Sequence, residues 1–154
     1  MGKIRGVIVD AESGEKLEAK VQILSPNGRL LMPQGSLEKR GPGEPFFYCN
    51  GDFEVDSSRG QVDVTVERGT EYTPHHSAVQ VDKTGTRDLR IELKRWANLP
   101  AEGWYPGNTH IHYDEKESRP DLRLSLDPRV ENLRMTAISI LKRRDLQYAT
   151  NKYP

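Results

Sequence analysis

Two histidines separated by one residue are the side chains in this sequence best suited to chemistry. His110 and His112 end the segment Gly103–His112, in which glycines and prolines turn the chain. Side chains alternate between the two faces of a strand, so an extended segment would place both imidazoles on one face and Ile111 on the other. Two imidazoles on one face are suited to binding a metal ion. The spacing alone fits equally well two surface histidines without a ligand, and only their position before an α/β pattern favours the metal.

Neighbouring ionisable groups could extend this pair. Asp114 and Glu115 follow directly and could add an oxygen ligand, although a solvated loop after the strand explains them better. His75 and His76 are adjacent, so in a strand they face opposite sides and cannot both join one site.

The other reactive groups favour structural roles. Cys49 is the single cysteine, which excludes an internal disulfide, and nothing near it in the sequence would lower the pKa of its thiol. The basic run Lys142–Arg144 could hold an anionic group, but it fits better the end of a strand that reaches solvent.

Composition excludes some partners. Among 154 residues, 23 basic and 23 acidic side chains cancel, which argues against nucleic acid or an anionic membrane surface as partner. No run approaches the ~20 apolar residues of a membrane span. Met1–Arg5 leads directly into a strand pattern, so we expect no signal peptide in this chain. An extracytoplasmic location is the expectation for the parent protein, and the compartment stays open.

Short alternating segments dominate residues 3 to 95. Val62, Val64 and Val66 alternate with polar residues, and about seven such segments are separated by turn signals. The fold class predicted is mainly β, an antiparallel immunoglobulin- or transthyretin-like sandwich of about seven strands. Asn50–Gly51 predicts a two-residue hairpin, and residues 32–45 predict a long loop.

The pattern changes after the glycine- and proline-rich linker 98–107. Leu122–Leu126 alternates and could be extended, and Asp127 followed by Pro128 predicts the start of a helix. The apolar run Thr136–Leu141 predicts a buried parallel strand. Strand, helix and strand are the opening of an α/β domain, so the C-terminal segment is predicted to be a partial α/β unit. We expect its apolar run to pack on the sandwich or on a second copy of the chain.

Residues 3–95 resemble the carboxypeptidase regulatory-like, transthyretin-type sandwich. The resemblance depends on the segments Gly6–Asp10, Ser13–Gly14 and Asn50–Phe53, with Arg68, Gly69 and Tyr72 adding to it. It implies an accessory module beside a catalytic or surface domain.

Gly103–His112 resembles the opening of the PHP (polymerase and histidinol phosphatase) metallohydrolases, in particular their CehA/McbA-like branch. The resemblance implies that His110 and His112 are ligands of a divalent ion (zinc, manganese or iron). It also implies that the metal activates water to attack an ester or phosphoester. Asn108 departs from the family, which usually has an aspartate there. The domains expected are a sandwich at 1–97, a linker at 98–107 and the N-terminal fragment of a PHP-like hydrolase domain at 108–154.

Two functions follow as expectations. In the first, the chain is the N-terminal portion of a metal-dependent hydrolase and is inactive alone, because the family takes its other ligands from later strands. The substrate would then be a small ester or phosphoester, bound only by the intact enzyme, and the C-terminal segment could form a homo-oligomer. In the second, the chain is a self-contained sandwich that binds a carbohydrate or protein partner without catalysis.

Overall fold

Strands between Gly2 and Leu93 form two facing sheets. The computed structural model describes residues 1–39, 45–114 and 120–141, and describes the backbone alone at 39, 112–114, 120 and 139–141. The strands are β1 (Gly2–Asp10), β2 (Glu18–Leu24), β3 (Glu38–Lys39), β4 (Phe46–Asn50), β5 (Asp52–Ser57), β6 (Gly60–Glu67), β7 (His75–Val81) and β8 (Thr86–Leu93). The predicted β-sandwich is confirmed.

The two sheets differ in size and pairing. Sheet A has the order β5-β1-β8, and sheet B has the order β3-β4-β2-β6-β7. The pairs are antiparallel except that β1 runs parallel to β8, with Ile8 opposite Ile91. The antiparallel sandwich predicted from the turn spacing therefore contains one parallel pair.

Alternating side chains build the core between the sheets. On β6, Val62, Val64 and Val66 are buried while Asp63 points to solvent, as the period of two requires. On β1, Ile4 and Ile8 occupy the core face. The core also contains Ala19, Val21, Ile23, Phe47, Phe53, Val55, Val79, Val81, Ile91 and Leu93.

The hairpin predicted at Asn50–Gly51 is wrong, although the turn is present. Gly51 has φ +87°, a conformation that favours glycine, but β4 lies in sheet B while β5 lies in sheet A. The turn thus carries the chain from one sheet to the other, because Phe47 and Phe53 must both enter the core between them.

The C-terminal part forms a strand, a helix and a second strand. A 3₁₀-helix (Leu99–Glu102) precedes β9 (Gly107–Asp114), which is followed by α1 (Pro120–Val130) and β10 (Met135–Leu141). β9 and β10 pair in parallel, which confirms the predicted strand-helix-strand order. We call β9 and β10 together the strand pair. No helix in the described ranges is long and apolar enough to span a membrane.

The predicted start of the helix at Asp127–Pro128 is wrong. α1 begins at Pro120, and Leu126 and Asp127 are buried inside it. Pro128 lies in the last turn, where the missing N–H removes one helical hydrogen bond just before the helix ends. The alternating leucines misled the prediction because a helix buries every third or fourth residue, here Arg123, Leu126 and Val130.

The predicted burial of β10 is also wrong where its side chains are described. Met135 is 67% exposed and Ile138 is 43% exposed. Instead, it is α1 that packs on the sandwich, where Leu126 and Val130 meet Leu37 and Tyr48 on the outer face of sheet B. Leu37 and β3 lie within the predicted loop 32–45, of which residues 40–44 are outside the described part.

Candidate functional site

β9 begins after a helical turn that a glycine ends. Pro100 starts the 3₁₀-helix, and Gly103 closes it with φ +85°, donating its N–H to the carbonyl of Pro100 at 3.1 Å. Glycine readily adopts the left-handed backbone conformation that is needed at this point. The linker predicted at 98–107 thus contains one short ordered turn, which sets the direction in which the histidine strand leaves.

A β-bulge includes the first histidine. Asn108 pairs with Thr136 and Ile111 pairs with Ile138, so Thr109 and His110 face one residue of β10. The Asn108 Oδ1 atom accepts a hydrogen bond of 2.9 Å from the His110 N–H. The residue that stands where the PHP family has aspartate therefore holds the backbone of the bulge. Bulges re-aim side chains locally, so the regular alternation expected of this strand is interrupted here.

The predicted ligands lie on the expected strand. The His110 side chain is exposed and Ile111 is half-buried. His112 pairs with Ser139, while its side chain and those of Asp114 and Glu115 lie outside the description. The convergence of the two imidazoles therefore stays a prediction, as does an anion site at Lys142–Arg144, which is outside the described residues.

The described residues do not complete a metal site. No three of the His, Cys, Asp and Glu side chains placed by the structure are close enough to share an ion. His75 and His76 behave as predicted for adjacent strand residues. The His75 Nε2 atom lies 3.1 Å from the Ser77 hydroxyl on its own face, and the His76 Nδ1 atom lies 3.1 Å from the hydroxyl of Thr65 on the neighbouring strand. Burial, followed by the neighbouring His76, lowers the pKa of His75.

A buried polar cluster at the end of β1 was not predicted from the sequence. The Asp10 carboxylate accepts backbone hydrogen bonds from Glu12 and Ser13 at 2.9 and 3.0 Å. It also accepts a 2.8 Å hydrogen bond from the Tyr72 hydroxyl and lies 3.6 Å from Arg95. Burial opposes ionisation, but these four partners prevail and lower the pKa of Asp10 to about 2.

Tyr72 links this cluster to the turn after β6. Its ring centroid lies 4.6 Å from the guanidinium carbon of Arg95 and 5.7 Å from that of Arg68, so it sits between two cations. Burial and the hydrogen bond to Asp10 raise the pKa of Tyr72. Arg95 also binds Glu71, which is 1% exposed, at 3.0 Å. An aspartate at a strand end before Ser13–Gly14 was the one sequence signal that could have indicated this cluster.

A second buried ionic group lies beneath α1. Arg123 is 2% exposed and lies 3.3 Å from Asp127 one turn later, and the Tyr48 hydroxyl donates a hydrogen bond to the same carboxylate. The i, i+4 spacing of Arg123 and Asp127 was available in the sequence, but only for a helix that begins before Asp127.

Cys49 is a structural thiol, as predicted. It is 3% exposed, its thiol donates to the carbonyl of Asp52 at 3.2 Å, and burial raises its pKa to about 12. A thiol in this state is inert as a nucleophile.

An open groove of about 730 Å³ lies at sheet A. Its lining includes charged residues in ion pairs, such as Arg5 with Glu54 at 3.0 Å, and Lys16 with Asp52. The rest of the lining is apolar or uncharged and includes Val7, Pro33, Gln34 and Leu89. The groove therefore combines hydrogen-bonding groups of both signs with apolar side chains.

Three exposed aromatic residues lie in the sequence shortly before the strand pair begins. Trp96 is 69% exposed, Trp104 71% and Tyr105 65%, so none of these three side chains is buried. Trp96 is nevertheless fixed, because its indole N–H donates to the carbonyl of Thr70 at 2.7 Å.

Comparison with known proteins yields distant likenesses. No protein-family model and no curated protein matches the sequence. Among solved structures, the chain is similar to GBS52, the minor pilin of Streptococcus agalactiae, at 16% identity and a TM-score of 0.41, covering 63% of this chain and 44% of that one. It is also similar to phospholipase PlaB from Legionella pneumophila, at 11% identity and a TM-score of 0.29, covering 61% of this chain and 25% of that one. The chain thus spans less than half the length of either protein, and likenesses at this level assign neither a family nor an activity.

Proposed function

We propose that residues 107–141 are the opening of a metal-binding α/β hydrolase domain of the PHP type, carried on a β-sandwich. The observation that carries the proposal is the placement of His110 and His112 on a strand that pairs in parallel with β10 across a single helix. Parallel strands joined by a helix are the unit from which α/β domains are built. The ester or phosphoester substrate class comes from the family resemblance of Gly103–His112.

The exposure of the strand pair supports this proposal. Parallel sheets in proteins are covered on both faces, and two strands alone are at best marginally stable. Here, residues 107–110 are exposed on β9, as are Met135 and Ile138 on β10. A strand pair of this kind is suited to receive further strands and helices, which would also bring further ligands.

The available ligands suit a metal but do not complete its shell. Imidazole binds zinc, iron and manganese, whereas a catalytic zinc normally has three protein ligands. A divalent ion bound there would activate water for attack on an ester or phosphoester. In this chain, His110 lies in a bulge whose backbone is held by the Asn108 side chain. We therefore expect no turnover by this chain alone.

Zinc titration of the full chain by calorimetry tests the ligand assignment. The double variant H110A/H112A should lose the zinc-binding isotherm, because it removes both proposed imidazoles. The matched control is H75A/H76A, which removes the other two histidines from β7 and should retain binding. Equal zinc binding by H110A/H112A and the parent chain would contradict the assignment, and hydrolysis of a phosphodiester by the zinc-loaded chain would contradict inactivity.

A second candidate function is favoured by the groove on sheet A. Its paired charges and apolar side chains suit a neutral saccharide, whose hydroxyls both donate and accept hydrogen bonds. Amide chemical shifts recorded during titration with a neutral oligosaccharide such as cellotetraose would test it. Changes confined to residues such as Val7, Gln34 and Leu89 would support a binding module, and unchanged spectra at millimolar sugar would reject this ligand class.

A further inference from the structure

Helix α1 is fixed on the sandwich by an apolar contact and a buried ionic group. Leu126 is 9% exposed and Val130 is fully buried, and both pack against Leu37 and Tyr48 on the outer side of sheet B. The Tyr48 hydroxyl donates to Asp127 in the middle of this contact. A helix with an apolar side covered in this way is held mainly by tertiary packing, as is usual for short helices.

The C-terminal end of α1 meets the turn that follows β6. The Gly69 N–H donates to the carbonyl of Val130 at 2.9 Å, and the Arg68 guanidinium donates to the Asn132 side chain at 3.2 Å. The first of these bonds satisfies a carbonyl group that the end of a helix leaves unpaired. The Arg68 guanidinium also donates to the carbonyl of Glu18, so one arginine joins the helix end to sheet B.

Gly69 leaves no space for a larger residue. A Cβ atom there would lie 2.5 Å from the carbonyl oxygen of Glu131 and 2.8 Å from the Cβ of Asn132. The obstruction is backbone, which cannot swing aside as a flexible side chain can. The φ of Gly69 is +46°, so the conformation also favours glycine.

The strand pair begins where this contact ends. Asn132 has φ +55° and turns the chain out of the helix, the Leu133 N–H donates to Pro128 at 2.7 Å, and the Arg134 N–H donates to Pro106 at 2.8 Å. Met135 then pairs with Gly107, the first residue of β9. The position of the helix end therefore sets where both strands start.

We propose that Arg68 and Gly69, on the sandwich, are positioning residues for the histidine strand. By seating the end of α1 they fix the start of β10, and β10 fixes the start and bulge of β9. The sandwich is then a template on which the strand pair is ordered, rather than a module tethered by a linker. The relevance of this coupling to a metal rests on the proposed function, whereas the coupling itself does not.

Hydrogen exchange of the full chain, measured by mass spectrometry without metal, tests the coupling. Gly69→Ala should raise the exchange rates of amides in α1 and in both strands of the pair by about tenfold or more, while β1, β5 and β8 keep their protection. The matched control is Gly28→Ala, which also has a positive φ, +76°, but has open space around it. The control should leave α1 and the strand pair unchanged.

A second variant keeps the test decisive if Gly69→Ala does not fold. Tyr48→Phe removes the hydroxyl that binds Asp127 without adding an atom, and should loosen the same three elements to a smaller extent. Faster exchange in α1 with unchanged exchange in β9 and β10 would overturn the coupling, and so would equal exchange in Gly69→Ala and Gly28→Ala. Zinc titration of these variants is a separate measurement, so absence of zinc binding would refute the proposed function and leave the exchange result intact.

Discussion

Asp10 is the residue whose surroundings most change its chemistry. It is 7% exposed, and the Arg95 guanidinium, the Tyr72 hydroxyl and two backbone N–H groups compensate its charge. The pKa falls from 3.8 to about 2, which corresponds to roughly 2 kcal/mol of stabilisation of the folded chain. This term is fully present above pH 4 and is lost as the pH falls through 2, because protonation then becomes equal in the folded and unfolded states.

The variant Asp10→Asn should therefore be less stable than the parent chain at pH 7 by about 1–3 kcal/mol. The difference should shrink below pH 4 and be smallest below pH 2, where most of the parent carboxylate is protonated as well. Urea unfolding followed by far-ultraviolet circular dichroism at several pH values measures this. A difference in unfolding free energy that is the same at pH 2.5 and pH 7 would contradict the role given to the charge.

For single residues, the sequence indicates burial better than it indicates which residue a side chain will contact. Cys49 could be assigned to the interior because it lies in an aromatic strand, and its burial follows from alternation. The interaction of Asp10 with Tyr72 joins residues 62 positions apart, and no local pattern in the sequence encodes such a pair. The Asn108 side chain holds the backbone of the bulge that includes His110, whereas the sequence showed only that the family's usual aspartate is missing at this position.

Strand β1 contains a glycine, Gly6, whose backbone is covered by the ring of Phe53. A Cβ atom on Gly6 would lie 2.2 Å from the Cζ atom of Phe53 and 2.4 Å from its Cε1 atom, in the antiparallel register that pairs these two residues. The Phe53 ring thus packs directly on the β1 backbone and also contacts Phe47 edge-on, at 5.9 Å between ring centroids. A residue with a side chain at position 6 would push this ring out of the core.

The variant Gly6→Ala should lower the free energy of unfolding by about 1–3 kcal/mol, the usual cost of overpacking a core. Phe53→Leu should also destabilise the chain, but the double variant should be more stable than the sum of the two single effects predicts, since leucine leaves room for the methyl group. Thermal denaturation of the four chains completes the cycle. Strict additivity would mean that Gly6 and Phe53 do not compete for space.

The strands were predictable to an extent that α1 was not. β2, β6 and β8 alternate cleanly because one face meets the core and the other is polar. The buried side of α1 instead contains Arg123 and Asp127. Because these residues are charged, the pattern of apolar residues in the sequence does not indicate which side of the helix is buried. A proline in its last turn added a false start signal. On β2, the polar residues Glu18 and Lys20 are half-buried, and Glu18 lies 3.6 Å from Arg129 of α1.

In the molecule as a whole, the sandwich buries its apolar side chains, whereas the strand pair leaves some of them exposed to solvent. The sandwich encloses a core of interlocking apolar side chains, whereas the strand pair leaves Met135 and Ile138 exposed. Exposed apolar side chains that form a patch indicate sites of association. Because α1 packs on sheet B, Met135 and Ile138 remain available to a second copy of the chain.

We therefore expect reversible self-association of the purified chain through the strand pair. The double variant M135E/I138E should weaken it at least about tenfold, because each exposed apolar side chain gains roughly 1–2 kcal/mol on burial and a glutamate would not. Met32→Glu, a change at a 40% exposed methionine on a loop of the sandwich, is the control. Light scattering over a range of concentrations gives the answer, and a parent chain that remains monomeric throughout would refute the expectation.

The positions of the tryptophans decide how this chain can be observed. The sequence contains two tryptophans, Trp96 and Trp104, which are 69% and 71% exposed. Their intrinsic fluorescence should already be that of a hydrated indole in the native chain, red-shifted and quenched readily by iodide. The emission maximum should consequently change little when the sandwich unfolds. A blue shift on adding another molecule would indicate that this molecule covers residues 96–104.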